Sequence, residues 1–228
     1  MLENIISQPI FGFSLCVGAY NIALSVKRRF NYTLLNPLLV GSLIVIAILS
    51  IFKIPLESFL TGANFVSMFL GPATAALAIS MYNQLDTIKK NLIPILVGSV
   101  VGAASAVASI LLLCKIFDLD AEMTASLLPK SITTAFGTEL SKQLGGIVPI
   151  TVAAISTTGI FGAITAPYLI KLFKIKNPVA SGLAIGASSH VLGTSKAIEL
   201  GEVEGSVSSI AVGLCGIITV IIAIFVRF

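Results

Sequence analysis

Seven long apolar runs, at 9–26, 34–52, 59–82, 92–116, 147–172, 181–198 and 206–226, constrain this chain more than any motif in it. A helix needs about 20 predominantly apolar residues to cross the hydrocarbon core of a bilayer, and these runs are of that order. Only 11% of the 228 residues are charged, against roughly 25% in an average soluble domain. That is too little polar surface to clothe a soluble fold. The expected fold class is an all-α polytopic membrane protein. It forms one transmembrane domain over 1–228, with about seven spanning helices plus a re-entrant segment.

The re-entrant segment is expected at 124–144, where Lys130, Glu139 and Lys142 sit among Ser and Thr. The stretch is helical in pattern and too polar to face lipid, but irregular or polar backbone is tolerated where protein buries it. Loop charge sets the orientation. Lys27-Arg28-Arg29, Lys89-Lys90 and the trio Lys171, Lys174 and Lys176 are the basic connections; Asp118, Asp120, Glu122, Glu202 and Glu204 mark the acidic ones. With seven crossings, an outer N-terminus and an inner C-terminus, every basic cluster falls inside, as the positive-inside rule asks. The early residues carry Glu3 before the apolar run and the cations after it, which reads as a retained helix and not a cleaved leader.

In that topology 34–117 and 147–226 become inverted repeats. Lys53-Ile54-Pro55 and Lys176-Asn177-Pro178 close matching segments, and Leu70-Gly71-Pro72 and Leu192-Gly193-Thr194 interrupt the next ones. Matching interrupted helices in two halves point to a transporter binding site. A broken helix leaves backbone N–H groups free at the start of its second half, beside the positive end of its dipole. Pro72 with Thr74 opens one such half-helix; Ser188, Ser189, His190, Gly193 and Thr194 surround the other. Small residues of this kind also serve close helix packing, which is the better explanation for any one of them alone.

Lys130, followed by Ser131, Thr133 and Thr134, offers one full charge and several hydroxyls to a carboxylate. The plainer reading is a lysine that snorkels to the interface. His190, the single histidine, and Glu139 are candidates for a coupling proton. Lys196 and Glu199 stand i,i+3 and can simply pair. Cys16, Cys114 and Cys215 lie in separate apolar runs without metal-ligand spacing, so no metal or other cofactor is expected. No basic stripe with interleaved aromatics speaks for nucleic acid, and no nucleophile–base pair speaks for an enzyme.

The runs Leu128-Pro129-Lys130-Ser131-Ile132-Thr133-Thr134, Ser141-Lys142-Gln143-Leu144-Gly145-Gly146 and Gly186-Ala187-Ser188-Ser189-His190-Val191-Leu192-Gly193-Thr194 resemble the signature of the LrgB/CidB family. The likeness extends through Glu202–Ser209 and Gly213–Gly216 and covers nearly the whole chain, although Ala135-Phe136 departs from the family pattern after the threonine pair. The resemblance implies a multi-pass protein of the bacterial inner membrane, with a holin-like LrgA/CidA-type membrane partner. It implies two functions. One is secondary transport of small monocarboxylates of the pyruvate, glycolate and glycerate kind; the other is antiholin-like control of murein hydrolase activity. The reading adopted at this point is a carrier for a small organic anion, working in the lipid bilayer as a homodimer.

Overall fold

The computed structural model describes residues 8–30, 35, 37–69, 72, 75, 79 and 82–226. Every regular element among the described residues is a helix. Four of them, Pro9–Phe30, Leu92–Ile116, Val148–Leu172 and Glu202–Phe225, are long and apolar enough to cross a membrane, and Pro37–Ile51 is a shorter apolar helix. Their outward faces carry large apolar side chains such as Ile93, Phe161, Ile217 and Ile224, which in water would be an aggregation surface and in lipid are at home. This is a membrane protein. The chain divides into two compact units, Met1–Ala76 and Leu77–Phe228, and the division falls inside the expected first repeat at 34–117.

In the first unit, α1 (Pro9–Phe30) packs against α2 (Pro37–Ile51) and α3 (Leu56–Ser67). Glycines make the close contacts. A Cβ on Gly62 would run into the Pro9 carbonyl and the Gly12 backbone, and one on Gly12 into the Phe59 carbonyl. Small residues at a crossing let two backbones approach where lipid supplies no hydrophobic drive for association.

The second unit is built on α5 (Leu92–Ile116), preceded by the short α4 (Leu85–Lys90), and on α8 (Val148–Leu172) and α10 (Glu202–Phe225). α5 and α10 run parallel: Ile95 clusters with Val207, Ala103 with Cys215, and Val107 and Ile110 with Ala223. Two helical hairpins fill the space beside them. The first comprises α6 (Ala121–Leu127), a 3-10 turn (Leu128–Ser131) and α7 (Thr134–Gln143). Asp120 starts it as an N-cap, its Oδ1 accepting from Met123 N at 2.7 Å. Gly145, at φ +79°, ends it in the left-handed region that suits glycine. The chain reverses at 132–133, so that Gly137 lies against Pro129, eight residues before it.

The second hairpin is α9 (Pro178–Leu200) itself: the sixth of the seven expected runs, 181–198, is folded back on itself and not one straight helix. A straight helix separates residues eight apart by about 12 Å. Here the Cβ position of Gly193 lies 3.3 Å from the Ile185 carbonyl, and Ile185 also clusters with Ala197. The helix doubles back at His190, whose backbone stands at φ 43°, ψ −144°. The break therefore falls on His190 and not on Leu192-Gly193-Thr194, which lie in the returning limb. Packing against α10 records the reversal: Gly182 meets Glu204 and Gly186 meets Ser208 in parallel order, while Thr194 meets Ser208 and Ile198 meets Gly205 in antiparallel order.

The hairpins share a register at a constant offset of 56 residues (137 to 193). Phe136-Gly137-Thr138 corresponds to Leu192-Gly193-Thr194, and Leu144-Gly145 to Leu200-Gly201. Gly137 rests on Pro129 as Gly193 rests on Ile185. Thr138 Oγ1 donates to the Thr134 carbonyl at 2.9 Å as Thr194 Oγ1 donates to that of His190 at 3.0 Å. The hairpins enter from opposite ends of the bundle. The first packs on the C-terminal half of α5 through Leu128 and Ile132; the base of the second packs on its N-terminal half, Val179 beside Ile95.

Candidate functional site

The two tips meet at one level. α7 runs antiparallel to α8, with Ser141 bonded to Thr151 and Gly137 facing Ile155, so Thr133 and Thr134 reach toward the middle of α8. The tip of α9 arrives at the same level, His190 and Ser189 lying over Gly159 and Gly162 of α8. Both half-helices that leave the tips, α7 and the returning limb of α9, start there. Their free N–H groups and positive dipole ends are thus brought to the centre of the unit.

Beside the tips is an open groove of about 650 Å³. Its walls are Lys130 and Ser131 from the first tip, Ala184, Ala187 and Ser188 from the outgoing limb of α9, and Gly98, Gly102, Ser105 and Ser109 from α5. Lys130 is half-buried, and its Nζ donates to Ser131 Oγ at 3.3 Å. It is the single ionisable side chain among those lining the groove. Helical geometry explains the rest of the lining. Positions 98, 102, 105 and 109 fall on one face of α5, and the small residues there let α9 approach: a Cβ on Gly98 would strike Leu183, and one on Gly102 would sit 2.9 Å from Ala187 Cβ. One cation, four serine hydroxyls and an otherwise apolar wall suit a small organic anion.

The expected site residues divide accordingly. Lys130, Ser131 and Ser188 line the groove. Thr133 is the extended residue that opens α7, half-buried and without a side-chain capping bond, and Thr134 is exposed in the first turn. Ser189 and His190 are buried behind the tip, and Gly193 and Thr194 lie inside the hairpin, Thr194 sharing a 2.8 Å hydrogen bond with Ser208. Pro72 is helical and exposed, while Leu70, Gly71 and Thr74 lie outside the described residues, and with them most of the expected first break. Glu139 stands elsewhere, in a separate hollow with Phe136, Gln143 and Ile217, its Oε2 3.9 Å from Lys142 Nζ. Lys196 and Glu199 pair at 2.6 Å. Ser105, Ser109 and the two glycines of α5 were not among the expected residues. Their signal, small residues at helical spacing, is also what plain helix packing produces.

Comparison with known proteins agrees with this architecture's class. Residues 16–228 match the LrgB-like family. Antiholin-like protein LrgB of Bacillus mycoides (strain KBAB4) is 36% identical over 215 residues, 94% of each chain. The same name and values apply to a protein of Bacillus cereus (strain B4264). A Bacillus subtilis (strain 168) protein, called uncharacterized protein YxaC, is 36% identical over 204 residues, 90% of this chain and 89% of its own. No solved structure matches the chain. The chain belongs to the LrgB-like family.

Proposed function

We propose that this chain is a secondary carrier that moves a small monocarboxylate, of the pyruvate, glycolate or glycerate kind, across the bacterial cytoplasmic membrane. The observation that supports it is the groove beside the hairpin tips, where Lys130 stands among four serine hydroxyls. Lys130 would hold the carboxylate, and Ser105, Ser109, Ser131 and Ser188 would read the neighbouring oxygen. If α5, α8 and α10 span, the groove lies near mid-membrane, where an ionisable group is a functional candidate by default. Neither coupling candidate lines the groove, which favours anion exchange over proton coupling: exchange balances charge without a titrating residue. The earlier reading of an inner C-terminus changes with the second hairpin. With Lys171, Lys174 and Lys176 inside, α9 returns inside and α10 leads the C-terminus out. The inverted units of this reading are 121–172 and 178–225 in place of 34–117 and 147–226.

The names of the relatives favour a second reading over transport: an antiholin-like protein that restrains a holin-type membrane partner. Homodimerisation is proposed alongside either reading, and mass photometry in detergent reads it out. Uptake of labelled pyruvate, glycolate and acetate into proteoliposomes holding this chain alone separates the two functions. A carrier is expected to take up at least one of them saturably. Lys130→Ala is expected to weaken that uptake about tenfold to a hundredfold in affinity, the loss of a charge-assisted hydrogen bond costing ~1.5–3 kcal/mol. No saturable uptake by the native chain overturns the transport reading and leaves the antiholin-like one.

A further inference from the structure

Of the tip residues, His190 combines a strained backbone with a side chain seated in a notch of α8. Its backbone occupies a region that glycine enters freely and other residues enter at a cost, so a glycine would satisfy the turn better. His190 is 3% exposed. Its Nε2 lies 2.8 Å from the Ile155 carbonyl in the middle of α8. A carbonyl only accepts, so Nε2 carries the hydrogen and donates. Space for the ring is supplied one turn further on, since any Cβ on Gly159 would collide with the imidazole. Gly162 repeats the arrangement for Ser189, whose hydroxyl would occupy the place of a side chain there. Ser189 Oγ in turn lies 2.9 Å from Ser188 Oγ, and Ser188 lines the groove. The His190 carbonyl is itself held by Thr194 Oγ1, which is tied to Ser208 of α10.

We propose that His190 is a positioning residue: keyed into the Gly159 notch and donating to Ile155, it seats the second tip on α8 and so fixes the Ser188 hydroxyl in the groove. The role needs a directional donor on a short flat side chain and not a titrating group. The same position in the first hairpin, Thr134, is exposed and has no such seat, so the second tip alone is registered against α8 in this way. The consequence for transport rests on the carrier reading; the seating itself does not.

The test therefore has two readouts. In a background of Cys16→Ser, Cys114→Ala and Cys215→Ala, the Ser188→Cys chain is labelled with a small sulfonated thiosulfonate reagent, and uptake of the anion found above is measured in chains that keep Ser188. His190→Ala and Gly159→Ala are each expected to change the labelling rate at 188 several-fold and to weaken the apparent affinity for the anion. His190→Gln, whose amide can donate to Ile155 from a similar reach, is expected to restore both, with its response to an imposed pH gradient equal to that of the native chain. It also keeps the test open should His190→Ala fail to insert. Unchanged labelling in His190→Ala and Gly159→Ala overturns the proposal. So does a His190→Gln chain that behaves as His190→Ala or loses a pH-gradient response that the native chain has. If the labelling pattern holds while the native chain takes up no anion, the seat stands and the transport reading falls.

Discussion

The first hairpin is bolted at its base, the second at its tip. At the base of the first, Ser126, Ser141 and Thr151 are fully buried. Thr151 Oγ1 lies 2.7 Å from Ser141 Oγ and 2.9 Å from the Ser126 carbonyl, and Ser126 Oγ accepts from Ile147 N at 2.7 Å. Advancing 56 residues replaces these three by Gly182, Ala197 and Val207, none of which has a side chain able to hydrogen-bond. The second hairpin instead presses its base against α10 through Gly182 and Gly186, and places its polar fastenings on His190 and Thr194. Shared topology thus coexists with two ways of anchoring: hydrogen bonds where the chain is polar, and backbone contact where it is not. The directional fastenings leave the first tip, which carries Lys130, held less than its own base.

Breaking the backbone contact is expected to have the largest effect. In Gly186→Val the added Cβ meets the Ser208 carbonyl and lies 2.9 Å from Ala211 Cβ. The helix partners cannot yield without moving a main chain, so the loss is expected to be at or above the 1–3 kcal/mol usual for overpacking. A collapse of the monodisperse peak in fluorescence-detected size-exclusion chromatography would register it, and an unchanged melting profile would disprove close seating. Thr151→Val, nearly the same shape, strikes the other mode of anchoring. It strands the Ser141 hydroxyl and the Ser126 carbonyl, a cost of ~1–3 kcal/mol for buried polar groups left unpaired, measurable as a lowered melting midpoint. The converse change, Val207→Thr, is expected to stabilise nothing, because its surroundings Ile88, Ile95 and Val179 are apolar.

A smaller effect sharpens the comparison at the helix ends. Lys53, Asp118 and Lys174 all have positive φ. In each case the following residue donates to a carbonyl five residues back, as Ile175 N does to Ile170 at 2.9 Å. That is the Schellman end that Gly145 makes without strain. Lys174→Gly is expected to raise stability by up to ~1 kcal/mol, seen as a slight rise in melting midpoint. A fall would show that the lysine side chain does more there than terminate a helix.

The physical reasons for what the chain's letters reveal are local. The helices α1, α5, α8 and α10 are legible because length and apolarity are additive along a run. The first hairpin is legible through Lys130, Glu139 and Lys142, which no lipid-facing span tolerates. The second was not, for two reasons. Its limbs together have the length of a span, and its reversal sits on a histidine where glycine or proline is the usual marker. The matching Phe136-Gly137-Thr138 and Leu192-Gly193-Thr194 were readable but pair hairpin with hairpin, whereas attention to spans pairs span with span. At the site, Lys130, Ser131 and Ser188 were legible as polar residues at a break. The glycines and serines of α5 acquire their place only when the outgoing limb of α9 is laid against them.

The reversal at His190 also bears on how the chain is made. A 23-residue segment that doubles back has less than the length of a span in either limb. Its limbs lean through Gly182, Gly186 and Thr194 on residues of α10, which follow it in the chain. Part of the surface that buries the hairpin is thus made after the hairpin itself. A chain that stops before Glu202 is expected to leave Gly182, Gly186 and Thr194 without their partners, while the contacts of α9 with α5 and α8 remain.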